Sequence, residues 1–267
     1  MSRGGSRNAT SRWVGVVLPP AVVLCLAVAM WALAIPLFRI PPYLLPTPSA
    51  MLRSLFLSDR NDLLASLGWT TLVSLLGFAF SAAAGVLIAV ALSASGVLRR
   101  AIYPYTIFFQ TVPIISIAPL LVIWIGAGIG SVAVCTVVVS IFPVIANSLV
   151  GLLSTDPALI DLFRLYGAGR LATFWKLRLP WALPYVFSGL RVAAGLAVIG
   201  TVVAEFFVGN IISGAGLGVK IVAASKVGRT DLMFASVLLA CLLGLAMFGA
   251  VNLVAWMTLR RWHASEQ

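Results

Sequence analysis

The sequence predicts an all-α integral membrane protein with six transmembrane helices, and three observations carry that expectation. The 267 residues are 61% hydrophobic and 9% charged, against about 25% charged in soluble domains. The apolar residues fall in runs long enough to span a bilayer, which takes roughly 20 residues each. The net charge of +11 comes from basic residues gathered at the ends of those runs, where they anchor topology and meet anionic lipid. The basic balance is therefore no nucleic-acid signature. Cys25, Cys135 and Cys241 stand singly in apolar runs, so no disulfide framework or metal spacing exists, and they read as small core residues.

Residues 1–12 form a basic tail with Arg3, Arg7 and Arg12. Residues 13–38 contain no charge until Arg39 and make span one; Ala32-Leu33-Ala34 resembles a signal cleavage site, but the run is too long for a signal and reads as an uncleaved span. A proline-rich link leads to a short amphipathic helix opened by Thr47-Pro48, with Met51, Leu52, Leu55 and Phe56 on one side. Span two covers 63–94. Its Gly77, Ser81, Gly85, Ala89 and Ser93 recur every four residues, a small-residue stripe that lets another helix approach, with packing inside the chain preferred to a dimer seam.

Spans three and four, 101–125 and 131–153, are divided by glycines at 126, 128 and 130. Span three carries Pro104, Pro113 and Pro119 with Gln110, Thr111 and Ser116. Each proline frees a backbone carbonyl that lipid cannot satisfy. Gln110, Thr111 and Ser116 are therefore pathway candidates, beside the alternative of a kinked helix bonded to its neighbours.

Residues 154–184 are the only long segment that mixes several charges with apolar residues. Asp156 caps a helix that starts at Pro157, and Leu159, Leu162, Phe163 and Tyr166 share one face. Gly167 ends it in a left-handed residue. A second apolar face holds Leu171, Phe174 and Trp175 among Arg170, Lys176 and Arg178, and Pro180 and Pro184 are expected to stop this helix. Such faces pack on the chain itself, lie in the headgroup layer, or dock a separate protein.

Span five, 185–208, contains Arg191 and Glu205, about 21 Å apart along a helix and unable to pair. Arg191 lies near one end and can snorkel. Glu205 is a fourth pathway candidate, next to the reading of a paired structural carboxylate. Residues 209–231 hold Gly214-Ala215-Gly216-Leu217-Gly218 but neither a Walker Gly-Lys pair nor a dinucleotide fingerprint. Span six covers 232–259, followed by Arg260-Arg261 and a short tail at 263–267. The one histidine, His263, excludes a histidine-based metal cluster.

The spacing Asp161, five residues, Gly167, nine residues, Leu177-Arg178-Leu179-Pro180 resembles the EAA signature of ABC importer permeases. LPWALPYVFSGLRVAAGLA at 179–197 is similar to the pattern LP.ALP....GLR.A.G.A of the nitrate, sulfonate and taurine subfamily. LPTPSAM at 45–51 and the Ala-Glu at 204–205 fit the same subfamily. Three residues depart from it: Asp161 stands for Glu, and Leu162 and Phe163 stand for the two Ala.

The resemblance implies a type I importer permease fold with cytosolic coupling helices, a permease domain over 13–262 and a coupling loop over 154–184. It implies Asp161 and Gly167 shaping the coupling bend, Leu162, Phe163 and Tyr166 filling a groove on an ATPase, and Leu179 and Pro180 closing the motif. The implied partners are a cytosolic ATP-binding subunit, an extracytoplasmic substrate-binding protein and a second permease copy in a homodimer. This chain then binds no cofactor, and ATP and Mg are used by the ATPase. The implied cargo is a small anion such as a sulfonate, taurine or nitrate, with a pyrimidine- or riboflavin-type vitamin or precursor as the alternative.

With both termini inside, Arg99, Arg100, Arg164, Arg170, Lys176, Arg178, Arg260 and the tail arginines face the cytosol of a bacterial inner membrane. Arg39, Arg53, Arg60, Lys220, Lys226 and Arg229 face out. The excess inside agrees with the positive-inside rule. An ion-coupled transporter would need intramembrane carboxylates, and only Glu205 offers one. A scaffold without transport would leave the prolines of span three unexplained.

Overall fold

The computed structural model describes residues 9–208 and 216–260, with side chains from residue 18 onward. The residues before Ala9, Gly214 and Ala215, Arg261 and the tail with His263 lie outside the described residues, as does the side chain of Arg12. Among the described residues the secondary structure is entirely helical. In order, α1 is Ala9–Leu37, α2 Pro48–Arg53, α3 Arg60–Ala94, α4 Gly96–Thr111, α5 Ile114–Ile125 and α6 Ile129–Leu153. After these come α7 Pro157–Leu165, α8 Arg170–Thr173, α9 Leu179–Val208, α10 Leu217–Lys226 and α11 Thr230–Leu259. π-helical turns at Ser54–Ser58 and Phe174–Arg178 follow α2 and α8. Five of the described helices are long and apolar enough to cross a membrane, and the bent pair α4–α5 makes a sixth if counted as one span.

Residues 1–60 and 224–235 form one unit, and residues 61–223 and 236–267 a second. In the first, α1 begins four residues before the expected Trp13, because polar residues can extend a helix beyond its apolar run. Trp31 packs against Phe234 with ring centres 5.8 Å apart and the rings tilted by 33°. Thr47 caps α2 by accepting from the Ala50 N–H at 3.2 Å. Arg229 donates to both Asp59 oxygens at 2.9 and 2.7 Å and to Asp231 at 2.9 Å. Those hydrogen bonds, Asp59 first, raise the Arg229 pKa above the ordinary guanidinium value. Asp59 also accepts from the Ser54 hydroxyl, and Thr230 donates to the Pro42 carbonyl.

The second unit is built on α6, which packs between α3 and α9. The stripe of α3 meets α6 within the chain, as its four-residue spacing predicts. A Cβ at Gly77 would collide with Thr136, and one at Gly85 would lie 2.8 Å from the Val144 Cβ. Ser81 and Ser140 hydroxyls share a 2.8 Å hydrogen bond, and Ser74 and Thr136 both bond Thr201 of α9. Against α9, a Cβ at Gly151 would lie 2.6 Å from that of Tyr185, and one at Gly189 2.8 Å from the Pro143 carbonyl. Three apolar clusters close the core, one of them joining Leu92 of α3, Leu149 of α6 and Val186 of α9. Val73, Leu121, Cys135 and Ala204 join α3, α5, α6 and α9, while Phe187, Ala194, Met247 and Val251 join α9 to α11.

Three expectations are corrected. Span three is not one kinked helix: α4 and α5 meet at a 100° bend. Val112 and Pro113 are extended there, since Pro113 disfavours the helical conformation at the residue before it. The prolines at 180 and 184 do not stop a helix. The π-helical turn at Phe174–Arg178 runs into α9, placing Pro180 in its first turn, where a missing N–H is tolerated, and Pro184 within it. Cys135 is a core residue, but Cys25 and Cys241 are exposed among the described residues.

Candidate functional site

Residues 154–178 fold as an elbow between α6 and α9. Asp156 caps α7 by accepting from the Ala158 N–H at 2.8 Å, with Pro157 at the first helical position. At the other end Gly167 takes φ +74°, a conformation that carries a steric penalty for residues with a Cβ. The Gly167 N–H donates to the Arg164 carbonyl and the Ala168 N–H to the Phe163 carbonyl, both at 2.9 Å. This is a Schellman closure, which satisfies carbonyls that the helix end would leave open. It fixes the angle at which α8 departs.

The elbow leaves its apolar residues uncovered. Leu162 is 45% exposed, Tyr166 83% and Leu165 85%, while Phe163 is half-buried. Leu165 was not among the candidates, because the face drawn from Leu159 passes beside it. Its signal is the i, i+3 pairing with Leu162. Asp161 forms an exposed ion pair at 3.0 Å with Arg164, the residue whose carbonyl accepts the Gly167 N–H. Leu179 and Pro180 are half-buried at the start of α9.

The break in span three opens a cleft of about 570 Å³ whose lining includes Phe109, Gln110, Phe142, Asn147 and Ile199. Its lining residues carry no ionisable side chain. Phe109 stacks on Phe142 with ring centres 6.0 Å apart. Asn147 donates its side-chain N–H to the Pro143 carbonyl on its own helix α6 at 2.9 Å. Of the four pathway candidates only Gln110 lines this cleft. Thr111 bonds the Phe108 carbonyl, and Thr111 and Ser116 are exposed outside it.

Glu205 sits elsewhere, 1% exposed. Thr70 of α3 donates to its carboxylate at 2.9 Å, and the Gly218 N–H donates at 2.8 Å. The Leu217 N–H donates in turn to Thr70 Oγ1 at 2.8 Å. Gly216, at φ +108°, brings the chain so close that a Cβ would collide with the Glu205 carboxylate. The residues thus form a clamp that ties the start of α10 to α3 and α9. Lys220 adds an ion pair to Asp62 at 2.9 Å. The helix α10 itself was missed in the sequence, where glycines mask its onset.

Comparison with known proteins agrees with this architecture. Residues 81–258 match the family model described as "Binding-protein-dependent transport system inner membrane component". A probable ABC transporter permease protein of Haemophilus influenzae is 34% identical over 88% of this chain and 94% of its own. The formylaminopyrimidine transport permease protein ThiX of Halalkalibacterium halodurans is 31% identical over 88% of this chain and 92% of its own. A chain of the inward-facing MetNI methionine ABC transporter superposes with a TM-score of 0.61 over 74% of this chain and 98% of its own, at 19% identity, and so shares the fold. The elbow, the broken span and the family match converge: the chain belongs to the binding-protein-dependent inner membrane components, the multi-pass permease subunits of ABC importers, whose ATP is hydrolysed by a separate subunit.

Proposed function

We propose that this chain is one half of a permease homodimer in a bacterial inner membrane, with both termini and the elbow at 154–184 on the cytosolic side. Leu162, Phe163, Leu165 and Tyr166 dock in a groove of an ATP-binding subunit, and an extracytoplasmic binding protein delivers the solute. The observation that carries this reading is the elbow. It is a bend closed by its own backbone hydrogen bonds that presents Leu162, Leu165 and Tyr166 uncovered by the described residues. ATP shifts the permease between states only through a difference in the ATPase's affinity for them. Gly167 sets the bend, and Gln110 faces the passing solute. Gly167→Leu is expected to leave membrane insertion intact and abolish substrate-stimulated ATP hydrolysis in proteoliposomes with both partners. Unchanged stimulation would defeat the assignment.

The proposed cargo is a small organic or inorganic anion, in line with relatives named for aliphatic sulfonates at 28% identity and taurine at 27%. A second reading, a neutral vitamin precursor, is favoured by one observation: the cleft at Gln110 has aromatic and amide lining but no cation. A relative named for riboflavin, at 29% identity, points the same way. Titrating the cognate binding protein with taurine, nitrate and a formylaminopyrimidine separates the two. Heat released only by the heterocycle would remove the anion reading.

A further inference from the structure

A second cleft, of about 710 Å³, lies behind the elbow, where the end of α3 meets α7, α8 and the π-helical turn. Arg164, Arg170 and Arg178 line it together with Val90, Ile160 and Trp175. No acidic residue is in the lining. Arg164 has one exposed partner, Asp161, and no ion pair joins Arg170 or Arg178 to another described residue. The hydroxyls of Ser93 and Thr173 are occupied by carbonyls of their own helices. The guanidinium groups of Arg170 and Arg178 are therefore open donors of the cleft, and no lining residue balances their charge.

We infer that this cleft binds the phosphate of an anionic phospholipid headgroup. Guanidinium forks match phosphate oxygens in pairs. The rest of the wall is apolar, which suits an amphiphile rather than a bare ion. The cleft also sits beside the ends of the apolar helices α3 and α9 and the exposed Trp175, and the ends of membrane-spanning helices are where headgroups and interfacial aromatic residues meet. The protruding Leu165 and Tyr166 are not in its lining, so the lipid site and the ATPase-facing surface are separate. A headgroup held here braces the back of the elbow. The inference rests on the elbow lying on the cytosolic side, as proposed above.

The test uses the assembled transporter in nanodiscs of phosphatidylcholine, with or without phosphatidylglycerol. Native mass spectrometry should find phosphatidylglycerol retained by the wild type, and its presence should raise ATP hydrolysis several-fold. Millimolar inorganic phosphate in pure phosphatidylcholine should not replace it. The Arg170→Gln/Arg178→Gln variant should lose both the retained lipid and the stimulation while still co-purifying with the ATPase. Retention equal to wild type, or full stimulation by inorganic phosphate, overturns the inference. Loss of the ATPase from the variant also overturns it, by assigning the arginines to the protein interface, and leaves the docking proposal standing.

Discussion

The two ends of α9 treat polar groups in opposite ways. At Glu205 a carboxylate is buried at 1% exposure, with the Thr70 hydroxyl and the Gly218 N–H donating to it and the Leu217 N–H donating to Thr70. At the elbow, about 39 Å away along the helix, guanidinium groups and large apolar side chains stand open. A buried polar group left unpaired is expensive, so the Glu205 end is built to stay as it is. An uncovered face can wait for a partner at little cost to the isolated chain. The contrast separates what this chain completes alone from what it leaves to others.

The largest expected effect breaks the closed end. Glu205→Ala would leave the Thr70 hydroxyl hydrogen and the Gly218 N–H without their acceptor, at about 1–3 kcal/mol for each group. The unfolding midpoint of the detergent-solubilised permease should fall clearly, and Gly216→Ala should lower it too. A midpoint equal to wild type would mean that the clamp carries no stability. Gly167→Leu sharpens the other side. Its backbone penalty is about 1–2 kcal/mol, a smaller loss of stability than at Glu205, joined to the loss of coupling described above. Leu165→Ser with Tyr166→Ser should leave the midpoint unchanged and weaken ATPase co-purification by roughly tenfold, as for centrally placed apolar contacts. Asp161→Asn should be the mildest. Its exposed pair with Arg164 is worth about 0.2–0.5 kcal/mol, visible only as a small shift in a low-salt melt.

What could be read from the residues follows the range of the forces involved. Asp156, Pro157 and Gly167 were legible because caps and left-handed ends are local chemistry. The α3 stripe was legible because small residues at a four-residue spacing mark a close helix approach in a membrane, and α6 rather than a second copy provides it at Gly77 and Gly85. The partners of Glu205 were not legible, since Thr70 lies 135 residues away. The prolines at 104, 113 and 119 marked disturbance in span three but not its 100° break, which depends on how α5 packs against α6 and α9. Leu165 was passed over because periodicity locates a covered face, and this residue matters by being uncovered. The π-helical turn at Phe174–Arg178 hid the fact that Pro180 and Pro184 belong to α9.

Both ends of the elbow are rooted in helices that touch along their length. α6 leads into it and α9 leads out, and Gly151 and Gly189 hold those two helices in backbone contact. A pull on α7 therefore cannot prise its two anchor points apart. It must carry α6 and α9 away together as one stiff plank, and any yielding has to occur at seams elsewhere, such as the bend between α4 and α5.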